Sequence, residues 1–206
     1  MIYYTFEFVS GGVIMLFILS GAFGFLLMLG SDLFGIKKYN VAQNLLAFFG
    51  TLIIVCSSIL ILLEGNTYQM EIGYRLLFGA IGLMFLFFLV YSVLIEVKKN
   101  KMRDDQLVTS GTYALSRHPG VLWLFLYFVF GSLFFANINI LIAGIVWTLV
   151  NVIYVIIQEK VIFSRIFSNY ENYKEETPML LPTISSIKKC LDTLDGGKNE
   201  KLTRNA

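Results

Sequence analysis

Long apolar runs alternate with short polar segments along the chain. Several runs reach the roughly 20 residues that a helix needs to cross the hydrocarbon core of a bilayer. The runs are continuously apolar, whereas strands of a membrane barrel would alternate polar and apolar residues. The pattern therefore predicts an all-α membrane protein with about five transmembrane helices. We place these helices at about residues 8–29, 41–63, 72–95, 121–135 and 138–157.

A very short connection, Ala136-Asn137-Ile138-Asn139, separates the last two predicted helices. A connection of this length predicts an antiparallel helical hairpin. The two crossings return the chain to its starting side. Polar residues before the fourth helix and after the fifth are therefore expected at the same membrane face.

Basic residues in the loops predict the orientation. They cluster on one side of the predicted helices, at Lys37, Lys38, Lys98, Lys99, Lys101, Arg103, Arg117, Lys160 and Arg165, and Arg75 lies on the other side. Short loops rich in lysine and arginine remain in the cytoplasm. We expect the N-terminus outside and the 96–120 loop and C-terminal tail in the cytosol. Richness in Ile, Phe, Lys and Asn favours a bacterial cytoplasmic membrane.

Composition narrows the function classes. Hydrophobic residues make up 57% of the 206 positions and charged residues 15%, against about 25% charged in soluble domains. A formal charge of +2 does not indicate a nucleic-acid partner. One histidine and two distant cysteines predict neither a metal site nor a disulfide framework.

Arg117-His118-Pro119 stands directly before the fourth helix. Proline suits the first turn of a helix, because its missing N–H would be unpaired there. Free amides and the positive end of the helix dipole then face the membrane boundary, which suits a bound carboxylate. The alternative is structural, with Arg117 as a membrane anchor and His118 as an interfacial cap.

Glu159 is expected to end the fifth helix, on the same side of the bilayer as Arg117 and His118. Residues 159–182 have apolar positions at helical spacing and predict a C-terminal amphipathic helix on the cytosolic face. This helix could cover a cofactor pocket, or it could simply lie among the lipid headgroups. Glu159 could likewise be a solvated end residue.

Two linked stretches carry a family resemblance. Leu107-Val108-Thr109-Ser110-Gly111-Thr112-Tyr113-Ala114-Leu115-Ser116-Arg117-His118-Pro119 precedes the fourth helix. Gln158-Glu159, Phe167, Tyr170-Glu171-Asn172-Tyr173 and Pro178-Met179-Leu180-Leu181-Pro182 follow the fifth in the same order. Together they resemble the integral-membrane methyltransferases of the isoprenylcysteine carboxyl methyltransferase and phosphatidylethanolamine methyltransferase group. The resemblance covers roughly residues 103–182.

The resemblance implies an S-adenosylmethionine-dependent methyltransferase. Its acceptor would be hydrophobic or lipid-like, would enter from the bilayer and would be methylated on oxygen or nitrogen. Residues 1–100 would form a membrane scaffold, 101–182 the catalytic region and 183–206 a polar tail. The implied cofactor-binding residues are Tyr113, His118, Pro119, Glu159, Tyr170 and Tyr173, and the implied catalytic residues are Glu159, His118 and Arg117.

Three positions depart from the family pattern. Val121 stands where the family usually has tyrosine, Gln158 replaces the first residue of a glutamate pair, and Val155 replaces an arginine of the isoprenylcysteine enzymes. The missing arginine disfavours a prenylated carboxylate acceptor. An amine acceptor would need a base such as Glu159, because it must lose a proton before attack.

Two other functions compete with this reading. A membrane reductase using NADPH, similar to the sterol reductases, would share the Arg-His-Pro element, and Arg103, Arg117 and Arg165 could bind the phosphates. A non-enzymatic scaffold or transporter subunit is the second alternative. Transporters usually carry ionisable residues near mid-membrane, and the predicted helices contain almost none.

Overall fold

The computed structural model describes residues 2–63, 65, 67–98, 107–167 and 169–203, with side chains described between residues 12 and 193 of these ranges. Within them the chain forms helices and turns and no strand, so the all-α prediction is confirmed. Lys99, Lys101 and Arg103 lie outside the described residues. The helices are α1 (Ile2–Ile36), α2 (Asn40–Leu63), α3 (Ile72–Val90), π1 (Tyr91–Glu96), α4 (Thr112–Leu115), α5 (Pro119–Phe135), α6 (Ile138–Ile157), π2 (Gln158–Phe163), α7 (Ser164–Ile166), α8 (Tyr170–Glu176) and α9 (Ile184–Thr203).

Four stretches of the described chain are long and apolar enough to cross a membrane: Gly12–Ile36, Asn40–Leu63, Ile72–Glu96 and Ile138–Ile166. The chain is therefore a membrane protein by length and composition of its helices. α5 is apolar but has 17 residues. It spans about 25 Å at 1.5 Å per residue, so the fifth crossing remains a prediction.

Helical structure continues past the predicted end of the last span. π2 and α7 carry it without interruption from Ile157 to Ile166. Glu159 therefore lies inside a continuous helical stretch and not at its end. The apolar side chains of the added turns explain the extension, because Ile162 is buried and such burial favours continued helix.

The amphipathic segment predicted over residues 159–182 is broken. Phe167 adopts an extended conformation and ends α7. α8 ends at Glu176 because Thr177, which precedes Pro178, is extended. The tail is also more helical than predicted, since α9 runs to Thr203.

Contacts divide the chain into two compact units. The first comprises Met1–Leu83 and Phe125–Ile162, and the second comprises Met84–Leu124 and Phe163–Ala206. Both are discontinuous in sequence. The predicted division near residue 100 stays a prediction, because residues 99–106 lie outside the described ranges.

In the first unit, small residues bring α1 and α2 together. A Cβ added to Gly24 would lie 2.8 Å from the Gly50 carbonyl oxygen, and one added to Gly50 would lie 2.8 Å from that of Gly24. Ser20 Oγ and Ser57 Oγ share a hydrogen bond of 2.8 Å between the same helices. Close backbone approach at small residues, with hydroxyl hydrogen bonds, is typical of membrane helix pairs.

Trp147 connects α6 to α1 by a hydrogen bond and by close packing. Its indole Nε1 donates a 2.7 Å hydrogen bond to the Ile18 carbonyl, and its ring lies against Gly21, where any side chain would collide with it. Phe128 packs edge-on against the same indole at 5.3 Å. Phe128 of α5 and Trp147 of α6 lie on either side of the α5–α6 turn, so their contact shows that the chain folds back on itself here.

The connection between α2 and α3 satisfies the polar groups of the hairpin turn. Thr67 N–H and Tyr68 N–H both donate to the Ala136 carbonyl, at 2.9 and 3.2 Å. Asn137 Oδ1 accepts from Asn139 N–H at the start of α6, and its Nδ2 donates to the Gly65 carbonyl at 2.7 Å. Ala136 and Asn137 are fully buried, so these bonds supply partners that water does not reach.

We expect Gly50→Ala to destabilise the first unit. The added methyl must displace the α1 backbone, which costs about 1–3 kcal/mol in a packed interior. The helix propensity of alanine returns up to about 1 kcal/mol. Unfolding by sodium dodecyl sulfate in mixed micelles should show the net loss. Gly12→Ala is the matched control, because open space surrounds that position among the described residues; equal stability of the two variants would contradict the packing argument.

Candidate functional site

A buried carboxylate holds the segment that precedes α5. Glu96, at the end of π1, accepts hydrogen bonds from Thr112 N–H, at 3.0 Å, and from the Thr112 hydroxyl. Gly111 has a φ of +61° and leaves no room for a Cβ beside this carboxylate. Its N–H donates to Thr193 Oγ1 of α9 at 3.1 Å. Glycine is therefore required at this turn for both conformation and space.

Tyr113 connects α4 to π1 and to α8. Its hydroxyl donates to the Ser92 carbonyl at 3.4 Å, and its own carbonyl accepts from the Tyr173 hydroxyl at 2.6 Å. Burial raises the pKa of Tyr113 to about 12, and the negative charge of Glu96 adds to the shift. The phenol is therefore protonated at neutral pH and acts as a hydrogen-bond donor.

Backbone hydrogen bonds connect the two predicted motifs directly. Arg117 N–H donates to the Pro178 carbonyl at 2.9 Å, and His118 N–H donates to the Met179 carbonyl at 3.2 Å. The Ser116 hydroxyl also donates to the Met179 carbonyl, at 2.8 Å. The His118 amide is thus already engaged. It is not available to a bound carboxylate at the start of α5, and the Val121 amide donates to the His118 carbonyl.

The Arg117 guanidinium caps the C-terminal end of α8. Its Nη1 donates to the Lys174 carbonyl at 2.9 Å and to the Thr177 carbonyl at 2.8 Å. A cation at the negative end of the helix dipole is favourable. Arg117 therefore positions the segment that carries Tyr170 and Tyr173.

Four aromatic rings form a continuous series in the second unit. His118 lies nearly parallel to Phe163 with ring centroids 6.1 Å apart. Phe163 contacts Tyr170 edge-on at 5.4 Å, and Tyr170 contacts Tyr173 at 6.1 Å. His118, Tyr170 and Tyr173 are buried, as is Pro119. The structure thus brings together all the predicted cofactor residues that lie in this unit.

Glu159 lies in the other unit, so its expected proximity to His118 stays a prediction. Its neighbour Gln158 belongs to a polar cluster that sequence reasoning missed. Asp32 Oδ2 accepts hydrogen bonds from the Tyr154 hydroxyl at 2.5 Å and from Gln158 Nε2 at 2.6 Å. An acidic residue near the end of an otherwise apolar span was the available signal.

Two further residues of the second unit were missed. Glu96 could have been noticed as an acid among the lysines that follow the third span. Thr177 is 1% exposed, and its hydroxyl has no hydrogen-bond partner among the described residues. A buried polar atom of this kind normally has a partner, so a bound polar group or a water would satisfy it. The position of Thr177 before Pro178 predicts the backbone conformation of Thr177 but not the burial of its hydroxyl.

We expect Arg117→Met to loosen α8 selectively. The substitution keeps side-chain length but leaves two carbonyls without their charged donor, and each such bond contributes about 1.5–3 kcal/mol. Hydrogen exchange should show amides of residues 173–177 exchanging at least about tenfold faster. Arg165→Met, at an exposed arginine, should leave this rate unchanged. Unaltered exchange in Arg117→Met would refute the capping role.

Alkaline pH should destabilise the chain partly through Tyr113. The unfolded phenol loses its proton near pH 10, whereas the folded one keeps it to about pH 12. The unfolded state therefore binds fewer protons in this window, and stability falls as pH rises through it. Tyr113→Phe should show a smaller decline between pH 10 and 12 in unfolding titrations, and exposed Tyr39→Phe should behave as wild type. Identical declines in all three proteins would contradict the assignment.

Comparison with known proteins gives no family assignment. No protein-family model matches the chain, and neither a curated protein nor a solved structure matches it. The resemblance to the membrane methyltransferases therefore rests on the motif residues of this chain, and its function is a matter for proposal.

Proposed function

We propose that the chain is an integral-membrane methyltransferase that uses S-adenosylmethionine. One observation carries the proposal: the Arg-His-Pro segment and the Pro-x-x-x-Pro segment, about 60 residues apart, are hydrogen-bonded to each other at His118 and Met179. A membrane anchor and a separate interfacial helix would have no need of this contact. The pairing supports a single site assembled from both motifs.

Side chains around this contact have the chemistry that the cofactor requires. S-adenosylmethionine, when bound, supplies a methyl group activated by a sulfonium cation. Electron-rich faces of Tyr170 and Tyr173 attract such a cation, and these rings continue the series that begins at His118. The buried Thr177 hydroxyl, one residue beyond the end of α8, offers a further hydrogen-bonding group. Tyr113 and Pro119 would form the rest of the pocket wall. Tyr113 lies in α4 and Pro119 begins α5, so they flank the segment that carries Arg117 and His118.

The protein's contribution would be positioning and exclusion of water. Arg117, held by the α8 carbonyls, would act by fixing the tyrosines. His118 would contact the cofactor. The Glu159 carboxylate would orient the acceptor, accept a proton from an amine acceptor or bind the cofactor's amino group.

The acceptor would be a lipid-like molecule that enters sideways from the bilayer. The exposed surfaces of α1, α2 and α3 are covered with large apolar side chains, so such a molecule would not have to leave hydrocarbon. The N-terminus would lie outside and the site would face the cytosol of a bacterial cell membrane, following the basic loops.

Cofactor binding by the purified chain in detergent is the direct test. Isothermal titration with S-adenosylhomocysteine should give saturable binding, weakened at least about tenfold in His118→Ala and in Glu159→Ala. Glu171→Ala is the control, because Glu171 is exposed and pairs with Lys174; it should bind as wild type does.

Other results would redirect the assignment. Saturable NADPH binding would indicate a reductase, and well-folded protein that bound neither ligand would indicate a scaffold. After binding, labelled S-adenosylmethionine and membrane lipid would identify the acceptor atom. Alkali releases methanol from a methyl ester and leaves a methylated amine intact.

A further inference from the structure

A second polar feature lies in the first unit, where the α2–α3 connection meets the end of α5. It is an open cleft of about 580 Å³ lined by Thr67, Tyr68, Gln69, Met70 and Arg75. The methyltransferase proposal makes no use of it. Its lining is largely polar, and Tyr68 and Arg75 contribute hydrogen-bonding groups.

The Arg75 guanidinium is fixed through one of its three nitrogens. Its Nε donates to the Phe134 carbonyl at 2.8 Å. Among the described residues the two Nη groups have no hydrogen-bond or ion-pair partner. The Tyr68 hydroxyl is likewise fixed, by a 2.9 Å hydrogen bond to the Ser132 carbonyl. A guanidinium that is fixed through Nε and presents both Nη groups is preorganised to bind two phosphate oxygens at once.

The surface beside Arg75 is suited to acyl chains. Ile72, Leu76 and Leu83 recur at helical spacing along α3 and are 65%, 61% and 66% exposed. From Arg75 to Leu83 the helix rises about 12 Å, which is comparable to the roughly 15 Å half-thickness of the hydrocarbon core. Arg75 thus lies within one turn of the start of this apolar stripe, and the part of the stripe beyond it is nearly as long as one leaflet is deep.

We propose that this cleft binds the phosphate of a membrane phospholipid, with Arg75 as its ligand and the acyl chains along the exposed stripe of α3. Glu71, one helical turn before Arg75, is exposed and does not line the cleft, whose only charged lining residue among those described is Arg75. The apolar stripe commits the site to a lipid and not to a soluble phosphate. The site is independent of the methyltransferase proposal.

Native mass spectrometry of the full chain in detergent tests this site. The probes are dioleoylphosphatidylglycerol, dioleoylglycerol, which lacks the phosphate, and soluble glycerol 3-phosphate. Wild type should retain phosphatidylglycerol through detergent washing, and Arg75→Gln should retain about tenfold less, the loss expected for charge-assisted hydrogen bonds. Dioleoylglycerol should not distinguish the two proteins, and millimolar glycerol 3-phosphate should not displace the lipid.

Two further variants separate loss of lipid binding from general destabilisation and from the loss of any exposed arginine. Gln69→Glu adds a negative charge to the cleft lining without touching the Arg75–Phe134 bond, so it should lower lipid retention and leave the thermal midpoint unchanged. Arg165→Gln removes an exposed arginine elsewhere and should retain lipid as wild type does. The proposal is overturned if Arg75→Gln or Gln69→Glu retains the lipid fully. It is also overturned if Arg165→Gln loses as much, or if glycerol 3-phosphate displaces the lipid.

Discussion

Backbone groups that leave a helix and are shielded from water must find their hydrogen-bond partners elsewhere in the protein, and the turns at Ala136 and Asn137 and at Ser116 and His118 are buried in this way. This constraint organises both units of the chain. In the first, the Ala136 carbonyl at the hairpin turn accepts from two amides of the α2–α3 connection. In the second, the segment before α5 is held by carbonyls of Pro178 and Met179. Each irregular stretch is therefore paired with another stretch that is distant in sequence.

Two arginines satisfy this constraint in different ways. Arg117 places its Nη1 between two carbonyls at the end of α8, whereas Arg75 gives its Nε to a carbonyl near the end of α5. Both therefore stabilise helix ends, where carbonyls lack partners and the dipole is negative. The difference lies in the rest of the guanidinium. Among the described residues the two Nη groups of Arg75 have no partner, and they lie beside an exposed apolar surface. This distinction separates a positioning residue from a proposed ligand.

Much of the membrane architecture could be predicted from hydropathy. The second and third predicted spans, 41–63 and 72–95, nearly coincide with Asn40–Leu63 and Ile72–Glu96, because apolar length is a property of consecutive residues. The end of the last span could not be predicted in this way. Helix continues through Glu159 because residues beyond it, such as Ile162, find buried positions, and burial depends on neighbours that hydropathy does not specify.

Of the candidate site, the sequence alone determined the residue types and their order, and the short hairpin connection predicted that they share one membrane face. Only the tertiary structure decided that the His118 amide is used by Met179, that Arg117 caps α8, and that Phe163 stands between His118 and Tyr170. It also revealed the roles of Glu96, Asp32 and the buried Thr177. The reason is physical: the partner of an end carbonyl or a buried hydroxyl is set by contact between distant segments, and neither periodicity nor composition encodes that contact.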